Sequence, residues 1–397
     1  MNSLKAMPLK TSYRIESIDI LRGMVMLIMA IDHTREFFHH DSLISINPLD
    51  LKATSPIVFF TRWITHFCAP VFVFLSGASI FLYGQKRTKN EVAFFLFTRG
   101  IWLMLAEIFI VNFFWEFNYG SFLMLEVIWT IGLSMVILSL LQFLPYKFLL
   151  ALGLLIIAGH NLLDNIKIDQ PAAASFLWSL VHVQKVFFPT PHFIVLVAYP
   201  FLPWLGLMIV GYCLGKLYTK TSPVRDRKKF LLSTGVMVIC LFILLRFINI
   251  YGDPSRWAHQ KSGLFTFLDF INTTKYPPSL LFVLMTIGPA LIVLSVTENI
   301  SNWFSRFVIV YGKVPFFYFL LHVLLIHAIS WVFYLVSGYG SGNINFPGTV
   351  GFPTAVGYPL WVVYLVWLSV ILILYYPCKW YGTYKASHPE KKWLTYL

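Results

Sequence analysis

Apolar residues in this chain neither alternate with polar ones nor form a single helical stripe. They run on for about twenty positions at a time before a short polar break. The runs fall at 18–38, 57–84, 93–114, 122–143, 147–163, 192–217, 230–250, 279–297, 314–336 and 358–378. A helix rises about 1.5 Å per residue and the hydrocarbon core of a bilayer is about 30 Å thick, so runs of this length suit membrane crossing. The pattern predicts an all-α polytopic integral membrane protein with about ten transmembrane helices. The fifth run is short, and the sixth contains Pro200 and Pro203. Pro70 is expected to bend the second. The first run follows Lys5, Lys10 and Arg14, as in a signal sequence, but no small-residue cleavage pattern follows, so it reads as an uncleaved first span. Longer polar loops lie at 39–56, 164–191, 251–278 and 337–357, and Leu264–Ile271 is expected to lie along the outer interface. A short basic linker, Thr219–Lys229, separates the sixth and seventh spans. No low-complexity tract or internal repeat is evident. The simplest organisation is one transmembrane domain over 1–397, with short tails at 1–17 and 379–397.

Composition strengthens that reading. Of 397 residues, 58% are hydrophobic and only 12% charged, about half the charged share of a soluble domain. The net charge of +13 would suggest nucleic acid as a partner of a soluble protein. Here the basic residues sit in a few loops, which fits topology better and argues against nucleic acid. Counting the loops alternately, the set that includes both termini holds 20 Lys and Arg and the other set 8, with Arg22 and Arg246 inside spans. The positive-inside rule then places both termini in the cytoplasm; a multi-pass protein of the cytoplasmic (inner) membrane is the expectation. Cys68, Cys213, Cys240 and Cys378 all fall in or at the ends of apolar runs, with no CxxC pair, and read as small apolar helix residues.

Ionisable groups inside spans are costly and mark candidate chemistry, with structural ion pairs as the alternative. Asp19 and Arg22 share a face near the inner end of the first span. Asp32, His33, Arg35 and Glu36 lie about 21 Å further along the helix, in the outer half. A carboxylate beside His33 would orient the imidazole and raise its basicity. Arg62 and His66 share a face of the second span; Glu107 and Asn112 lie in the third, Glu126 in the fourth, Arg246 in the seventh, and His322 and His327 in the ninth. These depths overlap, which implies a shared polar cavity open to the outside. The histidines have no HExxH or HxxxH spacing, so no metal is expected, and GxSxG, P-loop and GxGxxG motifs are absent.

Several stretches carry a family likeness. Arg14–Gly23 (RIESIDILRG), Met29–Phe38 (MAIDHTREFF), Arg62–Gly77 (RWITHFCAPVFVFLSG) and Thr274–Phe282 (TKYPPSLLF) resemble the membrane acyltransferases related to heparan-alpha-glucosaminide N-acetyltransferase, in their bacterial branch. Asp19, Arg22, Gly23 and His33 also resemble the Asp-x-x-Arg-Gly and downstream His of the type 3 membrane acyltransferases. The resemblance implies transfer of an acyl group, acetyl in the first family, from cytoplasmic acyl-CoA to a glycan or glycolipid acceptor on the far side. Acyl-CoA is then a co-substrate, with no bound cofactor. It implies His33 as general base or transient acyl carrier, Asp32 as its partner, and Arg22 near the donor. In the eukaryotic glucosaminide enzymes an Asn stands where His33 does, and the working His lies just after the first span, where His39 and His40 fall. The two likenesses therefore leave His33 and His40 as competing candidates.

An acyl thioester is already activated, so such an enzyme needs a base for the acceptor and a stabiliser for the oxyanion. Arg62 is a candidate for the second task. His66, Glu107, Asn112, Glu126, His322 and Lys275 are candidate cavity-lining or substrate-binding residues. For the CoA phosphates the candidates are Arg22 (with Asp19), Arg99 and Lys313, each of which also reads as a topology determinant. Membrane lipid is an expected partner, and a homo-oligomer stays open. Two rivals remain: a proton-coupled secondary transporter, since intramembrane Asp, Glu and His also make proton relays, and a non-enzymatic sensor or assembly factor. Absent repeat symmetry and the outward crowding of polar groups weigh against the transporter.

Overall fold

The computed structural model describes residues 15–43, 46–219, 222–337 and 357–396. Lys5, Lys10, Arg14, Lys220 and most of the loop expected at 337–357 lie outside the described residues. Among the described residues, thirteen helices carry the fold: α1 (Glu16–Phe38), α2 (Pro56–Gly84), α3 (Lys89–Glu116), α4 (Val127–Leu141), α5 (Tyr146–Leu163), α6 (Ala172–Val181), α7 (Phe201–Tyr218), α8 (Val224–Ile248), α9 (Gly263–Ile271), α10 (Leu280–Thr297), α11 (Trp303–Gly312), α12 (Pro315–Val336) and α13 (Leu360–Ser387). Among the described residues, eight are long and apolar enough to cross a membrane: α2, α3, α5, α7, α8, α10, α12 and α13. At 23 residues α1 is as long, but Asp19, Arg22, Asp32 and Arg35 lower its hydropathy, and α4 has 15 residues. Every expected apolar run thus contains a helix.

The differences are local. Residues 122–125 and 193–197, read as the starts of the fourth and sixth spans, are strands β1 (Phe122–Leu125) and β3 (Phe193–Val197). They pair in parallel, and β2 (Lys185–Thr190) runs antiparallel on the other side of β3. A short run apolar on both faces has no period to separate strand from helix. Asn112 then decides for β1: its Nδ2 donates to the Met124 carbonyl (2.9 Å) and its Oδ1 accepts from the Met124 amide (2.7 Å). Pro200 and Pro203 sit not mid-span but at the N-cap and in the first turn of α7, where a missing N–H costs no helix bond. In α2 a 3₁₀ turn at Thr65–Phe67 interrupts the helix just before Pro70, as expected of a ring that crowds the carbonyl four residues back. Helices α6 and α11 lie in stretches between the expected apolar runs. Leu264–Ile271 is helical, within α9.

Helix α1 is the hub. It packs against α2, α10, α11, α12 and α13. Its contact with α11 is made close by two glycines: a Cβ on Gly312 would collide with the Asp19 carbonyl oxygen, and one on Gly23 with that of Val308. Arg22 seals this crossing. It donates to the Gly312 carbonyl (3.3 Å), to Ser79 Oγ on α2 (2.6 Å) and to Asp19 (3.3 Å). A second, buried pair, Arg227 with Glu298, lies near the α1 start, where Ser17 Oγ donates to Glu298 (3.3 Å). Helix α10 is largely buried, whereas α8 turns Met237, Leu244 and Phe247 outward, as lipid-facing residues do.

Candidate functional site

The break in α2 turns Thr65, Cys68 and Ala69 toward the C-terminal half of α1. Between them lies a cavity of about 60 Å³, walled also by Asp32, His33, Glu126, Tyr199 and Lys275. That space holds a few water molecules or one small acyl group.

His33 is set by a relay. Its Nδ1 lies 2.7 Å from Nε2 of His322 on α12, and Nδ1 of His322 lies 2.9 Å from the Tyr318 carbonyl one turn earlier. A carbonyl only accepts, so His322 is protonated at Nδ1 and, when neutral, presents a lone pair at Nε2. That lone pair accepts from Nδ1–H of His33. The basic nitrogen of a neutral His33 is therefore Nε2. Trp115 meets the His33 ring edge to face, with centroids 4.9 Å apart, which holds the ring's plane.

Asp32 is not the group that orients His33, contrary to the sequence expectation. Successive helical residues point about 100° apart, and the Asp32 carboxylate is occupied elsewhere. It accepts from Nε and Nη2 of Arg35 (3.3 and 3.2 Å) and from Nη1 of Arg62. Nη2 of Arg62 reaches Tyr276 Oη at 3.4 Å. Arg62 is thus the centre of an ion-paired brace joining α1, α2 and the loop before α10. Glu36 pairs with Arg35 at 3.7 Å.

Lys275 enters the cavity wall from that loop, its ammonium 5.0 Å from the Tyr276 ring centroid. Asp253 shapes the loop. One carboxylate oxygen accepts from the Thr274 amide (2.9 Å) and Ser279 Oγ (2.7 Å), the other from Thr274 Oγ1 (2.9 Å). Ser279 in turn caps α10 by accepting from the Phe282 amide at 3.0 Å. Neither Asp253 nor Tyr199 was a sequence candidate; isolated polar residues in loops carry no periodic signal.

Glu107 and Asn112 support the site from behind. A π turn at Glu107–Val111 lets Asn112 Nδ2 donate to the Glu107 carbonyl (2.8 Å). Oε1 of Glu107 accepts from the Glu126 amide at 3.2 Å, at the N-terminus of α4, where a carboxylate offsets the helix dipole. Glu126, not Glu107, then forms part of the cavity wall. His66 is fully buried behind the wall, 5.3 Å from the Phe282 ring, with neither ring nitrogen hydrogen-bonded.

Other candidates lie away from this cavity. His40 is exposed beside Asp41 (3.6 Å), and His39 is buried in a bridge to Tyr358. His327 accepts from Trp331 Nε1 at 3.1 Å. Arg246, expected at the shared cavity, instead donates to the carbonyls of Ser255, Asp269, Phe270 and Asn272 and so caps α9. At the opposite end of α1, Asp19 and Arg22 serve the helix crossing. Lys313 is exposed at the end of α11. Arg99 donates to the Thr395 carbonyl and faces the Tyr396 ring, tying α3 to the C-terminal segment.

Fold and site together define a polytopic membrane protein with a small cavity, lined by apolar and ionisable side chains together, beside a paired histidine. The family model described as heparan-alpha-glucosaminide N-acetyltransferase, catalytic, matches residues 14–247, more than half of the 397. The chain belongs to that acetyltransferase family. The match takes in α1 to α7 and nearly all of α8, and so His33, Arg62, Glu107 and Glu126, while Lys275 and His322 lie beyond it. No curated protein matches the chain.

Proposed function

We propose that the protein is a membrane acyltransferase that moves an acetyl group from cytoplasmic acetyl-CoA to an amine or hydroxyl of a glycan or glycolipid on the outer face. The observation that carries this reading is the His33–His322–Tyr318 relay at the wall of the cavity, in a chain of an acetyltransferase family.

Nε2 of His33 takes the proton from the acceptor N–H or O–H as that atom attacks the thioester carbonyl carbon. The positive charge on the imidazolium is shared through Nδ1–H with His322, as a triad's third member steadies its histidine. The carbonyl oxygen becomes an oxyanion, which Lys275 stabilises; Arg62, occupied by Asp32, keeps the wall in place. The tetrahedral intermediate collapses, the C–S bond breaks, and the CoA thiolate takes the proton from Nε2. The acceptor leaves acetylated and His33 is neutral again. Entry of the donor from the inner end of α1, past Asp19 and Arg22, completes the reading.

Purified protein in detergent is expected to release CoA from acetyl-CoA only when an acceptor is present, tested first with a glucosamine-terminated oligosaccharide. CoA release that ignores acceptor would overturn the reading. So would proton-coupled solute uptake into vesicles without acyl-CoA, which is the outcome expected of a transporter.

A further inference from the structure

A second group of ligating side chains lies outside the acyl-transfer cavity. Helix α5 ends in a 3₁₀ turn, His160–Leu163, followed at once by Asp164. His182 caps the C-terminus of α6. The ligating atoms of His160, Asp164 and His182 all lie within 4.8 Å of one another. In sequence the two histidines are 22 positions apart, a spacing that no short motif scan selects.

Three observations separate this cluster from an ordinary polar contact. First, His160 is 2% and His182 1% exposed. Neither ring nitrogen of His160 has a hydrogen-bond partner, and Nδ1 of His182 has none. Buried polar atoms are nearly always paired, so an orphaned imidazole beside a carboxylate needs a reason. Second, the carboxylate is prepared from behind. Asn161 Nδ2 holds Asp164 Oδ2 at 2.9 Å, and Asn161 Oδ1 accepts from the Leu280 amide at 2.9 Å, which fixes Asn161 to the start of α10. Such outer support is what orients metal ligands. Third, Asp164 also forms part of the wall of a separate cavity of about 220 Å³, shared with Lys167, Ser175, Trp178 and Lys185, so water can reach the cluster.

We propose that His160, Asp164 and His182 bind a divalent zinc-type cation, with a water from the adjacent cavity as fourth ligand. Imidazole and carboxylate suit zinc, and three protein ligands with one open position is a common zinc arrangement. The metal takes the place of the proton that now bridges His182 Nε2 and Asp164 Oδ1 at 2.9 Å. That proton moves to Nδ1 of the same neutral imidazole, and none is lost. Tetrahedral zinc holds its ligand atoms about 3.3 Å apart, so the cluster closes by at most about 1.5 Å from its 4.8 Å limit, within reach of side-chain rotation. Once bound, the ion clamps α6 to the end of α5.

The test uses full-length protein purified through a tag without histidine, stripped with a chelator, then titrated with Zn²⁺ and assayed for bound metal. Wild type is expected to retain one zinc per chain. His160→Gln and Asp164→Asn are expected to bind it about 100-fold more weakly or not at all. Co²⁺ should give the visible absorption of a tetrahedral site in wild type and lose it in both variants. Either variant suffices if the other does not elute as folded protein. No zinc retained by wild type overturns the proposal, as does equal retention by wild type and a folded variant.

Discussion

At the residue scale, the proposed chemistry turns on the group that holds His33, Nε2 of His322 at 2.7 Å. His33 stood out because it sits among charges inside an apolar run. Its hydrogen-bond partner is 289 positions away, and no local spacing predicts such a pair. The nearest carboxylate in sequence was the natural expectation, but Asp32 faces Arg35 and Arg62. The two kinds of partner are separable by experiment. His322→Phe keeps the ring's bulk and removes the acceptor for Nδ1–H of His33. Acetyl transfer is expected to fall about 10- to 100-fold with little change in acceptor KM, measured by initial rates over an acceptor series. Asp32→Asn should act instead on stability. It leaves Arg62 without its buried counter-charge and Arg35 with Glu36 alone, at a cost of about 3 kcal/mol, read as a lower midpoint in thermal unfolding in detergent.

At the element scale, membrane runs read clearly because lipid demands a long apolar stretch, whatever the tertiary context. What lies inside a run reads less well. The strands β1 and β3 and the placement of Pro200 depend on Asn112 and on strand pairing, both of them long-range. The Asp19-x-x-Arg22-Gly23 stretch gains a physical explanation: its glycine admits α11, and its arginine bonds α11 and α2. Gly312→Leu should therefore force α1 and α11 apart at a cost of about 1–3 kcal/mol, seen as a lower yield of monodisperse protein. The same substitution at Gly159, whose Cβ would meet nothing within 4 Å, is the control expected to change little. Asp253→Ala should release the loop that carries Lys275. Four hydrogen bonds are lost, three of them to Thr274 and Ser279 and one to the Ser255 amide, at a cost of about 4 kcal/mol, and faster proteolysis between 253 and 279 is the readout.

At the scale of the whole molecule, the hub position of α1 joins two ends with different contents. One end carries Arg22, its glycine crossing and the nearby Arg227–Glu298 pair; the other carries His33, Lys275 and the Asp253 loop. The charge count of the loops predicts an orientation for these ends, with the termini expected inside. Single cysteines at Ser255 and Ser387, in a background without the native four, should react with a membrane-impermeant thiol reagent from opposite sides of sealed vesicles. Labelling from one side would cancel the transmembrane direction of transfer while leaving the chemistry of the cavity in place. The proposed chemistry assigns the base to His33 rather than His40, which is exposed and outside the cavity. The most direct test compares acceptor-dependent CoA release by wild type, His33→Ala and His40→Ala. Loss of about 100-fold or more in His33→Ala, with His40→Ala within about twofold of wild type, is the expected result. An undiminished rate in His33→Ala, or its loss in His40→Ala alone, would contradict it.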